Sequence, residues 1–277
     1  IKESIQVVKS SGIQTVMITG DHKDTAYNIA NEIGLIEKDS LVLTSDELDK
    51  MTDEEVKQKL SKIRVVARAL PIDKSRLVRL SQEMDLVVGM TGDGVNDAPA
   101  LKKADIGFAM GSGTEVAKEA ADIVILDNNI KSISMAVLFG RTIFKNIRKF
   151  IIFQLSVNIC AVSISIIGPL IGINTPITIV QMLWINMIMD TLAGIAFASE
   201  PSLDEYMNEP PKTKKVHIIN SYMFKEIFFT GLYTSLLGIF FFKSPLVYNF
   251  IRYADDYRYL YTAYFAFFIF SSLLNAL

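Results

Sequence analysis

Between residues 150 and 171 the chain carries no charged side chain, and no other feature restricts its fold as firmly. Roughly 20 apolar residues cross a bilayer as a helix, which satisfies every backbone N–H and C=O internally where no water reaches. Hydropathy gives three further apolar spans, at about 177–198, 224–242 and 259–277. Basic residues set their direction. Arg141, Lys145, Arg148 and Lys149 crowd the entrance to the first run, and Lys212, Lys214 and Lys215 lie between the second and third, so both places face the cytoplasm. The link at 172–176 has the length of a helical hairpin turn. Charge is concentrated before residue 150, which predicts a soluble domain over 1–140 and a transmembrane helix bundle over 141–277.

The net charge of -2 gives no ground for a nucleic-acid partner. Cys160 is the only cysteine, which excludes an intrachain disulfide framework. The chain opens at Ile1 with no charged-then-apolar leader, and is expected to be a piece of something longer.

In the soluble part, apolar runs alternate with helical patterns. Ile1, Ile5, Val8 and Ile13 space as a helix, and strands are predicted at 15–18, 65–68, 86–90, 105–110 and 122–126. Helices are predicted from about Asp24 to Ile33, with Gly34 ending it, from Pro71 onward, and from Thr114 to Ala120. Such alternation implies a largely parallel, doubly wound α/β sheet with its chemistry at the carboxyl edge. The charged stretch 37–62 reads as solvated surface, without chemistry.

Two loops at that edge stand out. Thr91-Gly92-Asp93-Gly94-Val95-Asn96-Asp97-Ala98-Pro99 runs from a strand into a helix. Its glycines let backbone amides approach an anion, and Asp93 and Asp97 bring carboxylates that suit a hard cation such as Mg²⁺. Any three of these residues alone read equally as an Asp-Gly turn capped by Asn96. Thr19-Gly20-Asp21 is a second strand-to-loop junction, where a hydroxyl and a free amide can hold a phosphoryl oxygen; alone it is just a turn. Lys74 near the start of the third helix can offset phosphoryl charge, or simply be solvated.

The nine-residue loop resembles the TGDGxNDAP hinge motif of the P-type ATPases, cation pumps whose phosphorylation domain has a haloacid-dehalogenase-like, Rossmann-like fold. That resemblance implies nucleotide and phosphate contacts for Thr19, Gly20, Asp21, Arg68, Lys74 and Asn96, Mg²⁺ at Asp93 with Asp97 beside it, and ATP as substrate. It rests also on Arg68-x-x-Pro71-x-x-Lys74, which matches the family's pattern. The family's nucleophile motif, DKTGT, does not occur in the chain. Truncation is the expected reason, because in the family that motif precedes the nucleotide-binding domain.

In the second apolar run, Asn186 and Asp190 are four residues apart and should share a helical face. An acid inside a membrane span usually faces a protein interior or an ion path. Asn158 in the first run is either a further ligand or packing glue. The stretch QMLWINMIMDTLA resembles the sixth membrane helix of plasma-membrane-type calcium pumps, and FQLSVN their fifth. By that resemblance Asn158, Asn186 and Asp190 bind Ca²⁺. Ala161 and Met189 stand where the sarcoplasmic-reticulum type has Glu and Thr, which implies one Ca²⁺ site rather than two.

The resemblance therefore implies ATP-driven export of Ca²⁺ from the cytosol through an aspartyl phosphate. It also implies a multi-pass protein of the plasma membrane or, alternatively, of a vacuolar or acidic-store membrane. Its partners would be membrane lipid, the actuator and nucleotide domains, the other membrane helices of the same pump, and accessory or regulatory subunits. A pump for another cation, and a non-catalytic regulatory subunit of the same fold, are the other readings.

Overall fold

The computed structural model describes residues 2–251 and 258–276, so Ile1 and Leu277, which figure in the predicted first helix and last span, lie outside the described residues. The chain divides into two compact units, one of residues 1–141 and 202–216, the other of 142–201 and 217–277. The first unit runs through Arg141, and residues 202–216, which the sequence reading placed in the membrane part, group with it.

The first unit runs α1 (Lys2–Ser10), β1 (Met17–Ile18), α2 (Lys23–Glu32), β2 (Leu41–Thr44), α3 (Ser45–Asp49), α4 (Asp53–Lys59), β3 (Ile63–Ala67), α5 (Pro71–Glu83), β4 (Gly89–Gly92), α6 (Ala98–Lys103), β5 (Ile106–Met110), α7 (Glu115–Ala120) and β6 (Ile123–Ile125). Its strands form two three-stranded sheets, β1-β3-β2 and β4-β5-β6, and every pair in both is parallel. Parallel neighbours need a crossover, which the intervening helices provide. Both sheets have fully or nearly buried strand residues, as expected of parallel sheets covered by helices: Val65, Val66 and Ala67 in one, Phe108 and Ala109 in the other.

Two expectations are corrected here. The stretch 37–62 is not plain surface, because Leu41, Leu43, Leu48, Val56 and Leu60 pack with Ile63, Val66, Leu77 and Leu80 into a core cluster. Thr44 and Thr52 cap its two short helices in reciprocal capping boxes with Glu47 and Glu55, so part of that charge density is helix-start chemistry. The strand predicted at 86–90 is β4 at Gly89–Gly92, shifted toward the glycines, while Leu86 and Val87 are exposed.

Residues 202–216 form a strap on this unit. Arg141 donates to the carbonyls of Tyr206 (2.8 Å), Met207 (3.1 Å) and Glu209 (2.8 Å), and to that of Ser11 (3.0 Å). Farther along, Lys214 pairs with Asp105 at 2.6 Å and Lys215 with Asp85 at 2.5 Å.

The second unit is helical. Helix α8 (Ile130–Leu170) is unbroken for 41 residues, so the predicted span at 150–171 is the later part of a longer element whose first turns belong to the first unit. It is followed by α9 (Ile179–Trp184), one π turn (Ile185–Met189), α10 (Asp190–Ala198), α11 (Ser221–Lys243), α12 (Pro245–Phe250) and α13 (Arg258–Leu274). Among the described residues three helical stretches are long and apolar enough to cross a membrane: Ile130–Leu170, Ile179–Ala198 and Ser221–Lys243. The fourth predicted span corresponds to α13, 17 residues long. Gly231 and Gly238 let α11 lie close against its neighbours: a Cβ on Gly231 would stand 2.6 Å from Ile159, and one on Gly238 2.7 Å from Ile164.

Candidate functional site

The nine-residue loop leaves β4 and folds onto its own acid. Asp97 is 6% exposed, and its Oδ2 accepts the amides of Asp93 at 3.1 Å and Gly94 at 3.2 Å. Its Oδ1 accepts Lys74 Nζ at 2.5 Å. The amides of Asp93 and Gly94 are therefore turned on Asp97 rather than left free for an outside anion. Gly92 is required for this closure, since a Cβ there would lie 2.4 Å from that of Asp97. Gly113 is required beside it, where a Cβ would meet the Asp93 carbonyl oxygen at 2.8 Å. Burial alone would push the Asp97 carboxyl up, but the Lys74 ammonium and the two amides outweigh it and hold it below the usual carboxylate range.

Lys74 is presented by α5, whose start is fixed from below. Pro71 opens the helix, and Asp73, fully buried, accepts the Leu70 amide (2.8 Å) and the Ser45 hydroxyl (2.7 Å) on one oxygen. Sequence reasoning passed over Asp73; its place three residues after Leu70, next to Pro71, was the available signal of a capping role.

Thr19, Gly20 and Asp21 follow β1. The Thr19 hydroxyl donates to Asp21 Oδ2 at 2.8 Å and accepts the Asp21 amide at 3.2 Å, closing a tight turn. This turn is tied to the end of β3, because Arg68 N–H donates to the Asp21 carbonyl and Ala69 N–H to that of Thr19, both at 2.9 Å. Arg68 has φ 50°, a left-handed value that costs a bulky residue energy and is found disproportionately at functional sites. Its side chain is exposed, as are those of Asp93 and Asn96.

The structure thus assembles two groups of predicted residues: Lys74 with Asp97 and the backbone of Asp93, and Thr19 with Asp21 and the backbone of Arg68. Strands β1 and β4, which lead into these groups, are each paired on one side only among the described residues. Among the described residues no cluster of three or more His, Cys, Asp or Glu could hold a metal. Two carboxylates at Asp93 and Asp97 suit Mg²⁺, which keeps several waters and takes one or two protein carboxylates alongside phosphate oxygens. Asp93 is the freer of the two, because both oxygens of Asp97 already have partners.

In the second unit the three expected ion ligands differ in exposure. Asp190 is buried, Asn158 half-buried and Asn186 exposed. One π turn, Ile185–Met189, carries Asn186 and leads directly into Asp190 at the start of α10. The partner of Asp190 is Gln154 of α8, whose Nε2 donates to Oδ2 at 3.2 Å, while Oδ1 is buried without a hydrogen bond among the described residues. Gln154 was within the motif but not singled out; its polarity amid an apolar run was the only signal.

Residues 1–105 and 79–137 match family models described as haloacid dehalogenase-like hydrolase, and 174–277 match one described as cation transporting ATPase, C-terminus. Among curated proteins, the chain is 42% identical over 99% of its length to a probable plasma-membrane-type calcium-transporting ATPase of Oryza sativa subsp. japonica. It is 43% identical over 84% of its length to a plasma-membrane-type calcium-transporting ATPase of Arabidopsis thaliana. It spans 27% and 23% of these two relatives, about a quarter of their length. A solved structure of the catalytic domain of the CPx-ATPase CopB-B aligns with 50% of this chain and 44% of its own at 25% identity, with a TM-score of 0.38.

Proposed function

Since the chain belongs to the calcium-transporting P-type ATPases and resembles their plasma-membrane type, we propose that the protein carrying it exports Ca²⁺ from the cytosol at the expense of ATP, through an aspartyl phosphate. The observation that carries this reading is the largely buried Lys74–Asp97 pair, which holds one ammonium at the carboxyl edge of parallel strands. There it offsets charge on a phosphoryl group as the group is transferred, and being fixed beforehand it needs no reorganisation. Thr19 and Gly20 would bind the phosphoryl oxygens, and Asp21, Arg68 and Asn96 would contribute to nucleotide binding. Asp93, with Asp97 beside it, would hold Mg²⁺, which supplies positive charge against the phosphate oxygens.

The phosphorylated Asp would come from a part of the protein outside this chain, on a strand added beside β1 or β4. Asp190 would bind the transported Ca²⁺ through the oxygen that Gln154 leaves free. Asn158 and Asn186 would add ligands, and other membrane helices would complete a single site, because two or three side chains do not fill a shell of six to eight oxygens. Four spans in the plasma membrane, about 150–171, 177–198, 224–242 and 259–277, follow from the same reading. The unbroken α8 would carry the state of the phosphorylation domain toward the ion site.

The test is phosphorylation of the full-length protein by radiolabelled ATP, with acid quenching and hydroxylamine treatment. A Ca²⁺-dependent, hydroxylamine-sensitive label that Lys74→Met reduces at least tenfold, and that Asp190→Asn removes at micromolar Ca²⁺, supports the reading. Absence of label with every divalent cation favours a non-catalytic subunit, and label driven by a different cation favours another pump.

A further inference from the structure

Helices α8, α11 and α13 enclose a cavity of about 40 Å³, whose polar lining is Ser156, Glu226, Thr230, Thr234, Ser272 and Asn275. Asp190 is not part of this lining. The hydroxyl protons of two of these groups are already used. Thr234 Oγ1 donates to the Thr230 carbonyl of its own helix, and Ser272 Oγ to that of Phe268 at 2.7 Å. Both therefore offer lone pairs to the cavity. Ser156 is 6% exposed, and its Oγ has no hydrogen-bond partner among the described residues. A buried hydroxyl in that condition is costly unless something meets it.

Glu226 adds the charge. It stands five residues into α11, in the first part of a helix long enough to cross a membrane. The basic groups around it are turned elsewhere: Arg148 Nε donates to Met223 Sδ at 2.9 Å, its guanidinium lies over Phe144, and Lys149 pairs with Glu200. Lys225 is exposed. Helix α13 brings no charged residue to this region between Phe265 and Leu274. Cys160, in the cavity wall, is the other titratable group.

A lining of one carboxylate and oxygen lone pairs repels anions. It is also too poor in charge for Ca²⁺, which favours several carboxylates among six to eight oxygens. A volume of 40 Å³ admits an inorganic ion with about one water and no organic ligand. We propose that this cavity binds one monovalent cation, an alkali-metal ion or hydronium, between Glu226, Ser156 and the lone pairs of Thr234 and Ser272. The site is separate from Asp190 and stands whatever ion Asp190 carries. An ion there holds α8, α11 and α13 together, so its occupancy adjusts the packing of α8.

The experiment is thermal unfolding of the full-length protein in detergent, titrated with KCl or NaCl against choline chloride at constant ionic strength, and separately from pH 8 to 5.5 in choline chloride. A ligand that binds only the folded state raises the unfolding temperature along a saturation curve. An alkali-metal ion gives that curve at fixed pH, and hydronium gives it as pH falls without alkali metal. In either arm Glu226→Gln moves the midpoint at least tenfold, and Ser156→Ala moves it severalfold. The proposal is overturned if the unmodified protein unfolds identically in choline, sodium and potassium at every pH, or if Glu226→Gln responds as the unmodified protein does. Should Glu226→Gln fail to fold, equilibrium binding of ⁸⁶Rb⁺ and the pH titration of the unmodified protein, each compared with Ser156→Ala, decide the matter. No Rb⁺ and no pH response, or equal response in both proteins, overturns it.

Discussion

Replacing Asp97 by Ala removes the acceptor on which the nine-residue loop closes. Three donors lose their partner: Lys74 Nζ at 2.5 Å and the amides of Asp93 at 3.1 Å and Gly94 at 3.2 Å. Breaking a buried ion pair by deleting one partner costs about 3–5 kcal/mol. The lower end applies, because the Lys74 side chain is 18% exposed and its stem can carry the ammonium out to water. About 3 kcal/mol corresponds to an increase of roughly 150-fold in local opening. Amide hydrogen exchange, read by mass spectrometry on a peptide spanning 91–98, measures it directly.

The pH dependence follows from the lowered Asp97 carboxyl, since a depressed folded pKa stabilises above the unfolded value of about 3.9. The difference between Asp97→Ala and the unmodified protein is thus constant from pH 8 to 5. It disappears only as acid titrates the folded carboxyl, below about pH 4. A change in exchange of less than threefold at neutral pH, or a difference that fades between pH 8 and 6, refutes the reasoning.

Gly92→Ala forces a Cβ to within 2.4 Å of Asp97 Cβ; about 1–3 kcal/mol of strain is expected, with at least a tenfold loss of phosphoenzyme and unchanged membrane insertion by protease protection. Arg141→Met leaves four carbonyls without their shared donor; with charge-assisted bonds contributing about 1.5–3 kcal/mol each and not adding fully, trypsin should cut after Lys214 or Lys215 at least tenfold faster. Gln154→Leu removes the one hydrogen bond to the Asp190 carboxylate among the described residues; about 1.5 kcal/mol lost from positioning shifts the Ca²⁺ concentration for half-maximal phosphorylation upward roughly tenfold, while the label formed at saturating Ca²⁺ stays.

What the sequence determined by itself was whatever depends on neighbours along the chain. The uncharged run at 150–171 had to become a helix, and it lies within α8. The turns at Gly20 and Gly34, the start of α5 at Pro71 and the strands at 106–110 and 123–125 were legible for the same reason: glycine, proline and short apolar runs act locally. The loop at 91–99 was recognisable from its residues, but which atoms its amides would meet was not. Asp97 could have faced a metal, an anion or solvent, and only the approach of α5 gave it Lys74 as a partner.

The same limit governs the rest. Strand β2 escaped notice because four residues suffice for a buried strand, and the acids around it belong to helix starts whose apolar faces meet a core that includes Leu77 and Leu80, 20 or more residues away. Arg141 looked like one more basic residue before a membrane span until residues 202–216 folded back on it. Asn186 stayed exposed while Asp190 was buried, and Gln154 of α8 became the hydrogen-bond partner of that acid. Periodicity reports which side of an element is buried, whereas a hydrogen bond between distant segments depends on tertiary packing. That packing alone decided the partners of Asp97, Arg141 and Asp190.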